Sequence, residues 1–317
     1  MINDRLILAP LAGYTDKAFR EICTSFGADI TVTEMVSAEG LSRDSVKTEE
    51  LLERFDGEDR LIVQLFAPSY DPIQRCIPNL LKYNPTQIDI NCGCPVPKVV
   101  KTGAGSALMQ HPERILEICR VIKESTDLPL SVKFRLGWDS SSINYIEFAE
   151  KAVEGGADAL TLHARTRAQG YAGYADKSAF RTLSDHFRGS GIKIYGSGDV
   201  FTAEDAISMI NDCGTDGVMF ARGAIGNPFI FRETREFLEK GEYSKPSRKE
   251  ILDTAMKHFD LMVKYYGENI AGREMRKHMM AYLKGMSGAK EAKAALTSAL
   301  TREDYENALL PLRNAEN

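Results

Sequence analysis

Eight short runs suited to β-strands recur between Leu6 and Ala221, separated by stretches with apolar residues three and four apart, and this alternation leaves few architectures open. The runs are Leu6–Pro10, Asp29–Met35, Leu61–Phe66, Gln87–Asn91, Leu130–Leu136, Ala159–Arg165, Lys193–Gly196 and Gly217–Ala221. Several are almost continuously apolar, as strands covered on both faces must be. Repeated βα units of this kind build a parallel sheet, and eight of them close a (β/α)8 TIM barrel of roughly 250 residues. The intervening segments Pro112–Ser125, Ile143–Glu154 and Ala203–Asn211 read as outer helices. Pro112 suits a first helical turn, and Thr202 with Asp205 has the spacing of a capping box. Gly155-Gly156 and Gly214 supply helix stops before the sixth and eighth strands.

After Phe231 the alternation ceases. Gly241–Arg248 reads as a linker punctuated by Gly, Pro and Ser. Ile251–Tyr266 and Arg273–Met286 have helical apolar spacing, and Lys290–Leu300 is rich in Ala and Leu. Two domains are therefore expected: the barrel over 1–240 and a small C-terminal all-helical domain over 241–317.

The chain of 317 residues, 43% hydrophobic and 27% charged, can bury a full core. Met1–Arg5 lack the basic start of a leader and no apolar run reaches about 18 residues, so a cytoplasmic location without a membrane partner is expected. Six cysteines are scattered rather than clustered and read as free thiols. The net charge of −5 argues at first against a polyanionic partner. It conceals an asymmetry: residues 264–293 hold 7 basic side chains against 3 acidic ones. That stretch is either a solvated helix face or a surface for nucleic acid. A monomer is expected.

Barrels place their chemistry at the C-terminal ends of the strands, and the unusual residues of this chain collect there. Strand one ends in Ala9-Pro10-Leu11-Ala12-Gly13, strand three holds Gln64, and strand four runs into Asn91-Cys92-Gly93-Cys94-Pro95. Strand five carries Lys133 and Arg135, strand six ends with His163 and Arg165, strand seven with Ser197-Gly198-Asp199, and strand eight with Ala221-Arg222-Gly223. Charges in a strand suited to burial need an internal partner or an anionic ligand. Gly198 and Gly223 precede helices and permit backbone approach to a phosphate, with Arg222 as a clamp. Neither GxGxxG at the first helix nor GxxxxGK[ST] occurs, so a mononucleotide cofactor is indicated. No metal site is expected, because Cys92 and Cys94 have no second cysteine pair at zinc spacing.

Ile88-Asp89-Ile90-Asn91-Cys92-Gly93-Cys94-Pro95 followed by Gly103-Ala104-Gly105-Ser106 resembles the signature of the tRNA-dihydrouridine synthases. Ala9–Asp16, Lys133-Phe134-Arg135, Gly137-Trp138, His163-Ala164-Arg165-Thr166, Gly196–Asp199 and Ala221-Arg222-Gly223 accompany it in order, so the likeness spans the barrel. Ser197 stands where many members carry Asn. The resemblance implies FMN as cofactor, with NADPH or NADH as transient reductant and tRNA as substrate. It implies FMN contacts from Pro10, Leu11, Ala12, Gln64, Lys133, His163, Ser197, Gly198, Asp199, Ala221 and Arg222. Asn91 would hold the uracil, Arg135 and Arg165 are expected at the substrate, and Arg273, Arg276 and Lys277 on the tRNA body.

Reduction of uridine to dihydrouridine delivers hydride to C6 and requires an acid at C5. Cys94 is the expected catalytic acid, since an ordinary thiol with a pKa of about 8.5 stays protonated at neutral pH. Lys133 would stabilise the reduced flavin near N1/O2. Two other readings stay open on sequence: a flavin barrel acting on a free pyrimidine or small enone, and an RNA-binding chaperone with the barrel as scaffold.

Overall fold

The computed structural model describes residues 5–314, so Met1–Asp4, where a leader would begin, lie outside the described residues. Nine strands appear in chain order: β1 Leu6–Leu8, β2 Ile30–Val32, β3 Val36–Ser37, β4 Leu61–Phe66, β5 Gln87–Cys92, β6 Leu130–Arg135, β7 Ala159–His163, β8 Lys193–Ser197 and β9 Gly217–Phe220. All pairings between them are parallel; β9 pairs with β1, and β2 pairs with β4, which closes the sheet into a barrel. Strands β2 and β3 share one staff of that barrel, each bonding to a different part of β4, so the closed sheet has eight positions. The architecture is the (β/α)8 TIM barrel expected from the alternation, followed by C-terminal helices.

The second position differs from the expected single strand Asp29–Met35. Thr33 still donates its N–H to Ile62 O, but its hydroxyl turns to accept from Gln64 N at 3.1 Å and donates to Glu34 O. The chain leaves the ladder there, and Glu34 is freed to accept from Gly13 N at 2.7 Å in the loop after β1.

Alternation along each strand sorts side chains into two compartments, as a period of two requires. Leu6 and Leu8, Ile88 and Ile90, Leu130, Val132 and Phe134 face the helices in the main core. Ile7, Ile30, Ile62, Ala159, Tyr195 and Met219 fill the barrel interior. Each fully buried Leu, Ile or Phe contributes about 1.5–3 kcal/mol. The helices Pro112–Ser125 and Ala203–Asn211 form where expected. Thr202 Oγ1 accepts from Asp205 N while the Asp205 carboxylate accepts from Thr202 N, a reciprocal capping box. The expected start at Ile143 moves to Tyr145 because Ile143 pairs with Gly137 in an antiparallel bridge.

The helix Ile230–Lys240 ends on Gly241 with φ 78°, and no regular element intervenes before Arg248. Four helices follow, Arg248–Tyr266, Glu268–Tyr282, Ala289–Leu296 and Arg302–Asn314, packed around their own apolar cluster. That cluster takes in Ala18 of the barrel helix Lys17–Ser25. Phe19 of the same helix lies against the buried rings of His258 and His278, with centroids 5.5 and 5.3 Å away. The backbone of Gly226, in the loop after β9, runs so close to the Glu268–Tyr282 helix that a Cβ there would meet Ala281 C at 2.3 Å. Among the described residues no helix is long and apolar enough to cross a membrane.

Candidate active site

Strand register decides which polar residues share a level. Arg135 pairs with His163 and His163 with Ser197, one layer at the barrel mouth; Asn91 pairs with Lys133 one step deeper. Above them opens a cavity of about 570 Å³, within the ~300–1,000 Å³ of ordinary small-molecule sites.

Beneath the cavity floor runs a buried chain of polar side chains from β4 to β6. Asn91 Nδ2 donates to Gln64 Oε1 at 2.8 Å, Gln64 Nε2 donates to Asp89 Oδ2 at 2.7 Å, and Ser131 Oγ donates to the other Asp89 oxygen. Gln64 is therefore part of the floor's support and is absent from the cavity wall. Burial pushes Asp89 up to about 6, against the hydrogen bonds from Ser131 and Gln64 and the nearby Lys133.

Cys94 lies on the cavity wall with 9% of its surface exposed. Its loop is held from both sides. Asn91 Oδ1 accepts from Cys94 N at 2.9 Å and from Gly93 N at 3.2 Å, and Arg135 Nε donates to Gly93 O at 2.7 Å. Gly105, with φ 61°, sits where a Cβ would meet Cys94 O at 2.8 Å, so the signature's glycine lets the following turn close over the cysteine. Burial pushes the thiol pKa up, outweighing the Val96 backbone N–H and the Arg135 charge. The sulfur is thus a protonated thiol at neutral pH. The other five cysteines are buried and unpaired.

Lys133 lines the cavity, and among the described residues its ammonium has no hydrogen-bond partner. Burial, with Arg135 beside it, lowers its pKa to about 8 in spite of Asp89. Arg135 spends Nε and Nη1 on the Gly93, Thr166 and Gly170 carbonyls, which leaves Nη2 for a ligand. His163 also lines the cavity; burial and the cations Lys133, Arg135, Arg165 and Arg222 drive its pKa down to about 2, so the ring is neutral.

Pro10, Leu11 and Ala12, after β1, line the cavity, and Ser197, Gly198, Asp199, Ala221 and Arg222, from the ends of β8 and β9, line it alongside them, β9 being paired directly with β1. At Gly198, φ 126°, a Cβ would stand 3.0 Å from the His163 ring, and at Gly223 it would meet Val200 O at 2.1 Å. These close approaches bring the two loops together as a backbone cradle open to an anion. Arg222 points across it, with its guanidinium 4.8 Å from the Tyr171 ring centroid and 5.4 Å from that of Phe201, and pairs with Asp199 at 3.2 Å.

Arg165, expected at the substrate, is only 1% exposed and stands behind His163, outside the cavity wall. Arg273, Arg276 and Lys277 are not brought to the cavity either. Arg273 is exposed; Arg276 Nε donates to Ala299 O at 3.0 Å; Lys277 pairs with Glu274 and lies 5.2 Å from the Tyr14 ring centroid. Tyr14 lines the cavity, and Lys277 and His278, whose ring centroid lies 5.3 Å from that of Tyr14, are tail residues that reach its wall through this ring.

A profile of the family described as Dihydrouridine synthase (Dus) matches residues 7–316. The chain belongs to the dihydrouridine synthase family. It is 40% identical over 294 residues to a probable tRNA-dihydrouridine synthase of Treponema pallidum (strain Nichols), covering 90% of this chain and 86% of the relative. It is 35% identical over 306 residues to a probable tRNA-dihydrouridine synthase of Rhizobium leguminosarum bv. phaseoli, covering 95% and 93%. It is 33% identical over 286 residues to tRNA-dihydrouridine synthase B of Pasteurella multocida (strain Pm70), covering 90% and 85%.

As a dihydrouridine synthase the chain also carries wall residues that strand patterns do not reveal. Met35, Tyr171 and Phe201 line the cavity, and Tyr171 and Phe201 are 56% and 46% exposed. The only sequence cue to Tyr171 is its place in the glycine-broken run Gln169–Tyr174, too long for a tight turn.

Proposed function

We propose that this chain is a tRNA-dihydrouridine synthase that reduces the C5=C6 bond of specific uridines, using FMN replenished by NADPH or NADH, with Cys94 as the proton donor. The observation that carries the reading is a protonated thiol on the wall of a cavity whose unspent groups suit an anionic, acceptor-rich cofactor. Those groups are the partnerless Lys133 ammonium and the Gly198–Gly223 cradle with Arg222, while the free Nη2 of Arg135 is left for the substrate.

In this reading Pro10, Leu11, Ala12, Lys133, His163, Ser197, Gly198, Asp199, Ala221 and Arg222 hold FMN, which when bound supplies hydride to C6 of the uracil ring. Gln64 acts from below, through Asn91. Cys94 Sγ–H gives its proton to C5 and becomes a thiolate, to be reprotonated from solvent. Asn91 and Arg135 keep the Cys94 loop in place, and the remaining donors of both are available to the uracil carbonyls. A uracil ring must leave its stack to enter such a cavity, at a cost of a few kcal/mol that is smallest in an RNA loop.

The helical residues 241–317 are proposed as the tRNA-binding domain, with Arg273 and Lys277 on its contact side and Arg276 as an internal brace. Location in the cytoplasm follows from a tRNA substrate. The test is to incubate the full chain with unmodified tRNA, FMN and NADPH and to locate a two-hydrogen mass gain by fragment mapping. Dihydrouridine at defined positions is the expected result; reduction of free uracil or uridine with tRNA untouched would replace it with the metabolite-reductase reading.

A further inference from the structure

Arg165 spends a whole guanidinium behind the cavity wall. Nε donates to Ala172 O at 3.1 Å, Nη2 donates to Gly173 O at 2.7 Å and to Asp199 Oδ2 at 2.6 Å, and Nη1 lies 3.3 Å from His163 Nε2. Asp199, in the left-handed region with φ 53°, is itself fixed by Ala175 N at 2.8 Å and by Arg222. A guanidinium can only donate. The facing nitrogen of His163 must therefore accept, and a neutral imidazole that accepts at Nε2 carries its proton at Nδ1. Nδ1 has no hydrogen-bond partner among the described residues and is not a sealed atom, so it opens on the cavity.

We infer that Arg165 is a positioning residue which locks His163 into its Nδ1–H tautomer, so that the imidazole meets the bound cofactor as a hydrogen-bond donor to an acceptor oxygen. The role of the donor rests on the cofactor reading above; the tautomer does not. The arrangement also ties three elements to one group. The 172–175 loop, the end of β7 and the loop after β8 all close on Arg165, so the donor, the Gly198 turn and the partner of Arg222 are set in mutual register.

The test begins on the full chain freed of FMN, with ¹⁵N-labelled histidine and long-range proton–nitrogen correlation, His163 being assigned by the signal missing in His163→Asn. The expected pattern is Nδ1–H; an Nε2–H pattern overturns the inference. In Arg165→Met the signal should shift toward the Nε2–H form, and Arg165→Lys should restore part of the original population; an unchanged tautomer in a folded Arg165→Met variant overturns it too.

Where Arg165→Met does not fold, a second comparison decides. An Asn side chain places its N–H₂ near the position of Nδ1, and a Gln side chain near that of Nε2. His163→Asn should bind FMN at least about tenfold more tightly than His163→Gln, the worth of one well-placed hydrogen bond. Equal affinity, or the reverse order, overturns the inference. Failure of the unaltered chain to bind FMN would instead refute the cofactor reading and the donor role with it, while the tautomer of the free protein remains a separate result.

Discussion

The side-chain oxygen of Asn91 stands 2.9 Å from the backbone nitrogen of Cys94, at the upper end of a relay that descends through Gln64 to Asp89. The loop bearing the thiol is thus anchored to the polar interior of the barrel. Asn91→Ala removes the acceptor of two N–H groups and the donor to Gln64, and is expected to destabilise the chain by about 1–3 kcal/mol. Under the proposed mechanism turnover should fall more than FMN affinity does, because the Cys94 loop loses its anchor while the loops that meet at Gly198 and Gly223 stay intact. Denaturant midpoints and single-turnover reduction of tRNA measure the two effects.

Cys94→Ala should keep FMN and its reduction by NADPH but slow the tRNA step by about 10²–10⁴-fold, the usual share of a general acid. Normal turnover would remove Cys94 from that role.

The proposed acid role of the same thiol carries a pH limit. Burial raises its pKa above the ordinary value, so if its acid form is the active one, activity should be lost through this group only above the ordinary thiol range of about 8.5. A rate profile in which this group's limb lies below that range would contradict the assignment.

His258 ties acid stability to the junction between barrel and tail. Burial holds its pKa near 3, with a small push from Lys277, whereas in the unfolded chain it takes up a proton near 6.5. The unfolded state therefore binds more protons as the pH falls through this window, and stability is lost from about 6.5 downward, by roughly 3 kcal/mol at pH 4. Asp89 and Asp16, raised to about 6 by burial, act with the opposite sign. His258→Phe isolates the histidine's share: its stability should change less between pH 7 and 4 than that of the unaltered chain, as read from urea midpoints at each pH.

Gly226 combines φ 70° with an approach to the Ala281 and Tyr282 backbone that has no room for a methyl group. Gly226→Ala is expected to cost at least about 1–3 kcal/mol and to displace the Glu268–Tyr282 helix from the barrel. FMN binding should survive while affinity for tRNA declines; fluorescence titration of flavin and filter binding of tRNA separate the two.

Arg273→Gln removes an exposed charge with no partner among the described residues. If tRNA lies on this face, affinity should fall several-fold and the slope of log K against log salt should shrink by about 1. Arg276→Gln, which breaks the bond to Ala299 O, should act on stability instead.

The amino-acid sequence by itself determined the barrel, because a strand covered on both faces must be apolar and a helix on its surface must repeat every three to four residues, and both patterns are written locally. It also singled out Cys94, held between Gly93 and Pro95 at a strand end, and the alternating charges Lys133 and Arg135. Tertiary structure alone decided what the other polar residues do. Gln64 and Arg165 read as ligands in the chain but stand beneath and behind the wall, since depth in a barrel depends on register with neighbouring strands. The break between β2 and β3 follows from Thr33 bonding β4 and Glu34 reaching Gly13, and Tyr171 and Phe201 meet only across Arg222. Loops have no period, so their meeting points come from the closure of the sheet that carries them.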